Sequence, residues 1–344
     1  MELLEYRFEN RDCLDFLHDL ADNSVKLIIT SPPYNVGKRY EHSTTLENYL
    51  SDMEPIISEL YRVLKEDGSI CWEVGNYIEK PKGGKSEVFP LDIYYYNLFK
   101  KHNLQLRNRI IWHFEHGLQC TDRLSGRYES ILWFTKTDNY TFNLDAIRIA
   151  SKYPGKKQYK GEKKGMYSGN ILGKNPSDLW KADMYQLLDD WDALVWDIPN
   201  VKNNHCEKVD HPCQFPIELV ERCILALTNE NDIVLDPFAG VASAIIAALK
   251  NFRRGYGTEL VAEYVKRGKE RIQLLKEDKL ETRRIGQTVY DPKQSGSLSK
   301  YPIQFVKAKL SYLDRIKKQI IQEEEELNKL LENENREHLQ SFKW

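Results

Sequence analysis

Asp232-Ile233-Val234-Leu235-Asp236 is an apolar run that leads into Pro237-Phe238-Ala239-Gly240, and an Ala/Ile-rich helical run follows from Ala242 to Leu249. Strand, glycine turn and helix start, in that order, build the nucleotide-cofactor site of a doubly wound α/β sheet. Small residues let the backbone approach a ligand there, and the helix start offers free N–H groups. About twenty residues further on, Tyr256-Gly257-Thr258-Glu259 puts a carboxylate at the end of the next strand, where it suits a ribose diol. Either half alone is an ordinary βα unit. Together they predict a Rossmann-like layer with a bound nucleotide.

A second apolar run, Val25-Lys26-Leu27-Ile28-Ile29, ends in Thr30-Ser31-Pro32-Pro33-Tyr34-Asn35. Proline fixes φ and donates no N–H, so the pair makes a stiff loop rich in backbone acceptors. Tyr34 sets a flat face beside those carbonyls. Such a loop can hold a planar ring while accepting hydrogen bonds from an amino group on its edge. Pro-Pro-Tyr also occurs in ordinary turns, so the tetrapeptide alone leaves both readings open.

The two motifs together resemble the S-adenosylmethionine-dependent DNA amino-methyltransferases, whose motif IV is S/D/N-P-P-Y and whose cofactor turn is D-P-F-x-G-x-G. The chain keeps Asp236, Pro237, Phe238 and Gly240 and has Ala242 at the second glycine, so the added methyl is expected to crowd the cofactor. The catalytic loop precedes the cofactor turn, as in the circularly permuted β group, and the likeness runs over roughly residues 6–275. The resemblance implies a doubly wound, mixed seven-stranded methyltransferase sheet with a target-recognition insertion. It implies catalytic roles for Ser31, Pro32, Pro33 and Tyr34. Cofactor contacts fall on Asp12, Cys13, Gln214, Phe215, Asp236, Pro237, Phe238, Gly240 and Glu259. Asp12 reads equally well as a helix N-cap. Gln214 and Phe215 lie in His211-Pro212-Cys213-Gln214-Phe215-Pro216, which resembles motif X, with His211 read as an exposed cap. Arg127-Tyr128-Glu129 resembles the motif VIII region.

The implied chemistry is methylation of adenine N6 or cytosine N4. The exocyclic amine is a poor nucleophile and is unreachable inside a duplex, so the base must flip out. Ser31 and the Pro32 carbonyl would accept its hydrogens, Tyr34 would stack on it, and neither a metal nor a covalent intermediate is required. Serine before Pro-Pro-Tyr is commonest in cytosine-N4 members, whereas Tyr34-Asn35-Val36-Gly37-Lys38 and Tyr140-Thr141-Phe142-Asn143-Leu144-Asp145-Ala146 resemble adenine-N6 members; adenine is slightly favoured. A degenerate, DNA-binding methyltransferase subunit is the non-enzyme alternative. Related Pro-Pro-Tyr enzymes acting on RNA or protein usually place the cofactor motif first.

Four segments are expected: residues 1–150 as the catalytic half, 151–205 as the insertion, 206–280 as the cofactor half, and 281–344 as linker and C-terminal helix. From Lys152 to Lys174 the insertion holds seven lysines against one acid, Glu162, with Tyr153, Tyr159 and Tyr167 interleaved. Lys156, Lys157, Lys163 and Lys164 are read as contacts to double-stranded DNA, the alternative being a solvated loop. The formal net charge is −2, so any DNA affinity must come from such a local face. Trp180 to Trp196 is expected to pack the insertion on the core. Residues 46–64 and 88–102 show helical apolar spacing, while 70–74, 109–112 and 130–134 read as strands. From Val306 to Leu339 a narrow apolar stripe needs a partner: a second protomer, another subunit or the body of the protein. Six scattered cysteines, no membrane-length apolar run and no signal-peptide pattern point to a reduced, cytoplasmic protein. The resemblance implies a prokaryotic or phage origin and a cognate restriction endonuclease as a further partner.

Overall fold

The computed structural model describes residues 4–34, 44–79, 83–114, 119–149, 151, 155–170, 172–181, 198–202, 205–285 and 303–340. Asn35 to Lys38, Lys152, Tyr153 and 182–197, with Trp191 and Trp196, lie outside the described residues. The chain divides into two compact units, residues 1–289 and 290–344.

In the first unit the strands are β1 (Tyr6–Asn10), β2 (Val25–Thr30), β3 (Leu64–Val74), β4 (Asn76–Glu79), β5 (Glu87–Pro90), β6 (Gln105–His113), β7 (Tyr128–Thr135), β8 (Leu179–Lys181), β9 (Ile233–Asp236) and β10 (Arg254–Glu259). The helices are α1 (Cys13–His18), α2 (Leu46–Val63), α3 (Leu91–Lys101), α4 (Ile217–Leu227), α5 (Ser243–Lys250) and α6 (Ala262–Lys276). One sheet runs β1-β10-β9-β2-β3-β7-β6-β8, and β4 and β5 form a separate hairpin. Within the large sheet only the pairs made by β7 are antiparallel, so it is mixed as expected. Seven of its strands fill the expected sheet, and three-residue β8 adds an eighth at the edge beside β6.

Both sheet faces are covered, which is why β2 reads as a continuous apolar run with all six residues buried. One core gathers α1, α2 and α3 around Phe16, Ile57, Leu60, Trp72 and Phe99. The other gathers α4, α5 and α6 around Leu219, Ile224, Ile245, Ile246 and Ile272. Helix α2 starts where Thr45 accepts a hydrogen bond from the Asn48 N–H, and it buries Tyr49, Met53, Ile56, Ile57, Leu60 and Val63 along one side. The expected helix over 88–102 is shorter. Val88 to Pro90 pair with β4, and Pro90 becomes the N-cap of α3, because a proline in extended geometry closes a strand and opens a helix. The second unit contains α7 (Ile303–Gln340). Among the described residues no helix is long and apolar enough to cross a membrane.

Candidate active site and cofactor cavity

Strands β2 and β9 are parallel neighbours, with Leu27 opposite Val234 and Ile28 opposite Leu235. From this pair the sheet grows through β10 to β1 on one side and through β3 to β7 on the other. Such a switch point opens a crevice beyond the strand ends. Thr30 and Asp236 end the two strands and join them, the Thr30 hydroxyl donating to Asp236 Oδ1 at 2.6 Å. The Pro-Pro-Tyr loop and the glycine turn therefore leave the sheet side by side.

They wall one cavity. Ser31, Pro32, Pro33 and Tyr34 supply one side, and Asp236, Pro237, Phe238 and Gly240 supply the other. Cys13, Gln214, Phe215 and Glu259 close it, joined by His211 and by Arg11, Leu260, Val261 and Tyr264, which the motifs did not single out. Asp12 lies off that wall. Its carboxylate caps α1, accepting from the Leu14 N–H at 2.8 Å, so the Asp-Cys pair places only the cysteine in the cavity. Burial pushes the Cys13 thiol up to about 12. Gln214 is buried and ties its own loop, donating to the Glu207 carbonyl and accepting from the Val209 N–H.

Two carboxyl groups face this cavity without a cationic partner among the described residues. Asp236 is only 4% exposed, and burial pushes it up to about 7 despite donors from Thr30 and the Phe238 N–H. Burial also raises Glu259, although it accepts from the Gly240 N–H at 3.1 Å and the Val261 N–H at 2.8 Å. Gly240 sits at φ +51°, and a Cβ there would come within 3.1 Å of His211 Nε2. The glycine thus serves both the left-handed turn and the close approach of the loop that carries His211. His211 is not the exposed cap expected. It stacks edge-on against Tyr264 at 4.5 Å, and burial pushes it down to about 4.

The expected crowding by Ala242 is corrected. The residue adopts φ +65° and is fully buried off the cavity wall, its methyl packed toward Gly268 of α6. That turn geometry aims the added carbon into the core, away from the ligand space.

Behind the Pro-Pro-Tyr loop lies a polar network. The Tyr34 hydroxyl donates to Glu73 Oε2 at 2.5 Å and lies 2.8 Å from Ser31 Oγ. The Tyr49 hydroxyl donates to the Pro33 carbonyl at 2.7 Å, which fixes the loop against α2. Glu73 is 2% exposed, one residue before the end of β3, and burial raises its carboxyl; burial, then Glu73 itself, raises that of Glu129 further. The signal for Glu73 was an acid inside the apolar run Ile70 to Val74.

The four lysines stand elsewhere. Residues 155–170 form an exposed reverse turn, closed by Ser168 N–H to Lys156 O and Gln158 N–H to Met166 O, both at 2.8 Å. Lys156 and Lys157 lie at its base and Lys163 and Lys164 near its tip. Tyr159 and Tyr167 are 85% and 68% exposed, and the Lys157 ammonium lies 5.5 Å from the Tyr167 ring centre.

This arrangement has counterparts among known proteins. The chain is 44% identical to the type II methyltransferase M.BglII of Bacillus subtilis over 256 residues, which cover 74% of this chain and 66% of that protein. It is 32% identical to the DNA adenine methyltransferase YhdJ of Escherichia coli K12, covering 76% and 81% of the two chains. The structure of TTHA0409 from Thermus thermophilus, complexed with S-adenosyl-L-methionine, superposes with a TM-score of 0.52 at 25% identity, covering 83% of this chain and 98% of that one. The sequence profile of the DNA methylase family, the N6/N4 methyltransferases, matches residues 25–270. By that match and these relatives, the chain belongs to the N6/N4 amino-methyltransferase family of DNA methylases.

Proposed function

We propose that this chain transfers a methyl group from S-adenosylmethionine to the exocyclic amino group of a base turned out of double-stranded DNA. The observation that carries this reading is the Thr30–Asp236 hydrogen bond, which holds an amino-accepting loop and a cofactor turn on one cavity. The residues suit the cofactor. S-adenosylmethionine is cationic at sulfur and at its amino group, and the cavity presents Asp236 and Glu259, neither ion-paired among the described residues, while Arg11 on the same wall is held by Asp19. Phe215, Phe238 and Val261 offer apolar walls for an adenine ring, and Glu259 suits a ribose diol.

The bound cofactor supplies an electrophilic methyl on a sulfonium; the protein supplies position. Ser31 Oγ and the Pro32 carbonyl accept the two amino hydrogens, drawing the nitrogen toward a pyramidal, more nucleophilic geometry. The Tyr34 ring stacks on the flipped base. Holding two reactants in line is worth roughly 7–11 kcal/mol of barrier, enough to carry most of the acceleration. Base extrusion costs a few kcal/mol, which stacking on the order of 1–3 kcal/mol offsets in part.

The lysine turn supports a role for residues 151–205 in holding DNA, with residues 1–150 as catalytic half and 206–280 as cofactor half in the permuted order. The type II designation of M.BglII supports pairing with a restriction endonuclease. For the target base, the likeness to YhdJ supports adenine N6, and Ser31 before Pro32 supports cytosine N4. Titrating the protein with S-adenosylmethionine in a calorimeter, then adding DNA and labelled cofactor, tests the reading. Cofactor heat with label in DNA is expected; DNA binding without cofactor heat would leave a DNA-binding subunit instead.

A further inference from the structure

Methylating an amino group leaves a proton to be removed, and the structure offers it a destination. Glu73 of β3 and Glu129 of β7 turn their carboxyls toward each other behind the Pro-Pro-Tyr loop. Their strands are antiparallel neighbours, with Val74 opposite Ser130. Gly75 makes room for the encounter. A Cβ at Gly75 would lie 3.3 Å from Tyr34 Cε2 and 3.4 Å from Glu129 Oε1, so both side chains pass close over the glycine.

Glu73 Oε2 accepts from Tyr34, but Glu73 Oε1 is sealed from solvent and, among the described residues, meets no amide, hydroxyl or guanidinium donor. The Glu129 carboxyl is the group at hand, and it can satisfy that oxygen only by carrying a proton. Resting on the methyl-transfer reading above, we propose that Glu73 and Glu129 form an inward-facing carboxyl pair holding one proton between them, and that this pair takes up the proton lost by the methylated amino group through the hydroxyls of Ser31 and Tyr34.

The steps balance. The amino lone pair forms the N–C bond while the C–S bond breaks, its electron pair staying on sulfur, which becomes a neutral thioether. The nitrogen is now cationic and a far stronger acid than a carboxylic acid. Its proton passes to Ser31 Oγ, the Ser31 proton to the Tyr34 hydroxyl oxygen, and the Tyr34 proton to Glu73 Oε2. Ser31 and Tyr34 end neutral, Glu73 becomes a carboxylic acid, and the pair then holds two protons until one leaves to water. The resting hydrogen bonds run the same way: the Tyr34 hydroxyl donates to Glu73, so in its 2.8 Å contact with Ser31 its oxygen accepts. Both glutamates act through the loop hydroxyls and are positioning residues.

The groups that face the pair are Tyr34 and Ser31 from the loop after β2, Cys213 from the segment before α4, and Lys202. Cys213 raises Glu129 and Lys202 lowers it, while the Glu129, Ser31 and Tyr34 hydrogen bonds lower Glu73 against the larger effect of burial. Turnover therefore needs Glu73 ionised and Glu129 protonated, and kcat should fall on the acid side as Glu73 takes its proton.

Single-turnover methyl transfer across pH, with cofactor heat measured alongside, tests this in the full chain. E73Q should lose the acid limb and about 100-fold or more in rate, the scale of general acid–base help, at unchanged cofactor heat. E129Q, whose amide still donates to Glu73 Oε1, should keep the wild-type limb. E129L removes that donor, so Glu73 is harder to ionise and the limb should move to higher pH. A wild-type pH profile in E73Q, or an unshifted limb in E129L, overturns the proposal. Should E73Q fail to fold, the contrast between E129Q and E129L decides alone. A wild type that methylates nothing would instead sink the reading on which the proposal rests.

Discussion

Asp236 is where burial and chemistry conflict most sharply. Its folded value near 7 stands above the ordinary 3.8, so the unfolded chain gives up this proton first as pH rises. The stability this group contributes is therefore complete below about pH 4 and is lost as pH climbs to about 7. Asp236→Asn should flatten that slope in thermal melts of the free protein; an unchanged slope would assign it to other groups. A cationic cofactor favours the ionised carboxyl, so affinity should rise with pH from 5 to 7, by up to about tenfold per unit, with proton release on binding. Calorimetry in buffers of different ionisation enthalpy reads that release directly. Tyr34→Ala should cut methyl transfer at least about fivefold, from stacking on the order of 1–3 kcal/mol, while cofactor heat persists. Full activity in that variant would make the loop merely structural. Ala242→Gly relieves a left-handed alanine and removes a buried methyl, and it should leave cofactor affinity unchanged because that methyl points toward α6. Ser31, Tyr34, Asp236 and Glu259 were legible because their motifs tie residue type to position. Glu73 and Tyr264 were not, because each reaches the site from an element whose facing depends on sheet register and helix rotation.

Among the elements, the turn over 155–170 carries a prediction of its own. Neutralising Lys156, Lys157, Lys163 and Lys164 together should lower the slope of log K against log salt by roughly three to four units, if each meets one phosphate of duplex DNA. Cofactor heat should not change, since none of the four lines the cavity. An unaltered slope would return the segment to a solvated loop. Composition revealed these lysines, yet the backbone bonds that fold them into a turn pair Lys156 with Ser168 and Gln158 with Met166, which no periodicity signals. The β4–β5 hairpin was hidden in the same way. Val88, Phe89 and Pro90 read as the start of a helical stripe, and only their pairing with Asn76 to Ile78 makes them a strand.

At the scale of the molecule, the doubly wound sheet could be read from β2 and β9, each an apolar run ending in a loop rather than an alternating half-exposed strand. The edge strand β8 could not, because its three residues gain their place only by pairing with β6. The C-terminal helix α7 forms a separate unit. Its apolar positions 306, 310, 313, 316, 320, 327, 330 and 331 make a stripe too narrow for an isolated helix. Removing residues 303–344 should alter the sedimentation coefficient beyond the lost mass while leaving turnover within about twofold, a scale at which barrier changes are under 1.36 kcal/mol. A collapse of turnover would assign the helix to catalysis. The central claim is methyl transfer to an exocyclic amine, and its most direct test is the product. DNA incubated with the protein and S-adenosylmethionine, then digested to nucleosides and analysed by mass, should contain N6-methyladenine or N4-methylcytosine nucleoside in proportion to enzyme. Methyl on cytosine C5, or no methylated nucleoside from a protein that binds the cofactor, would contradict the account.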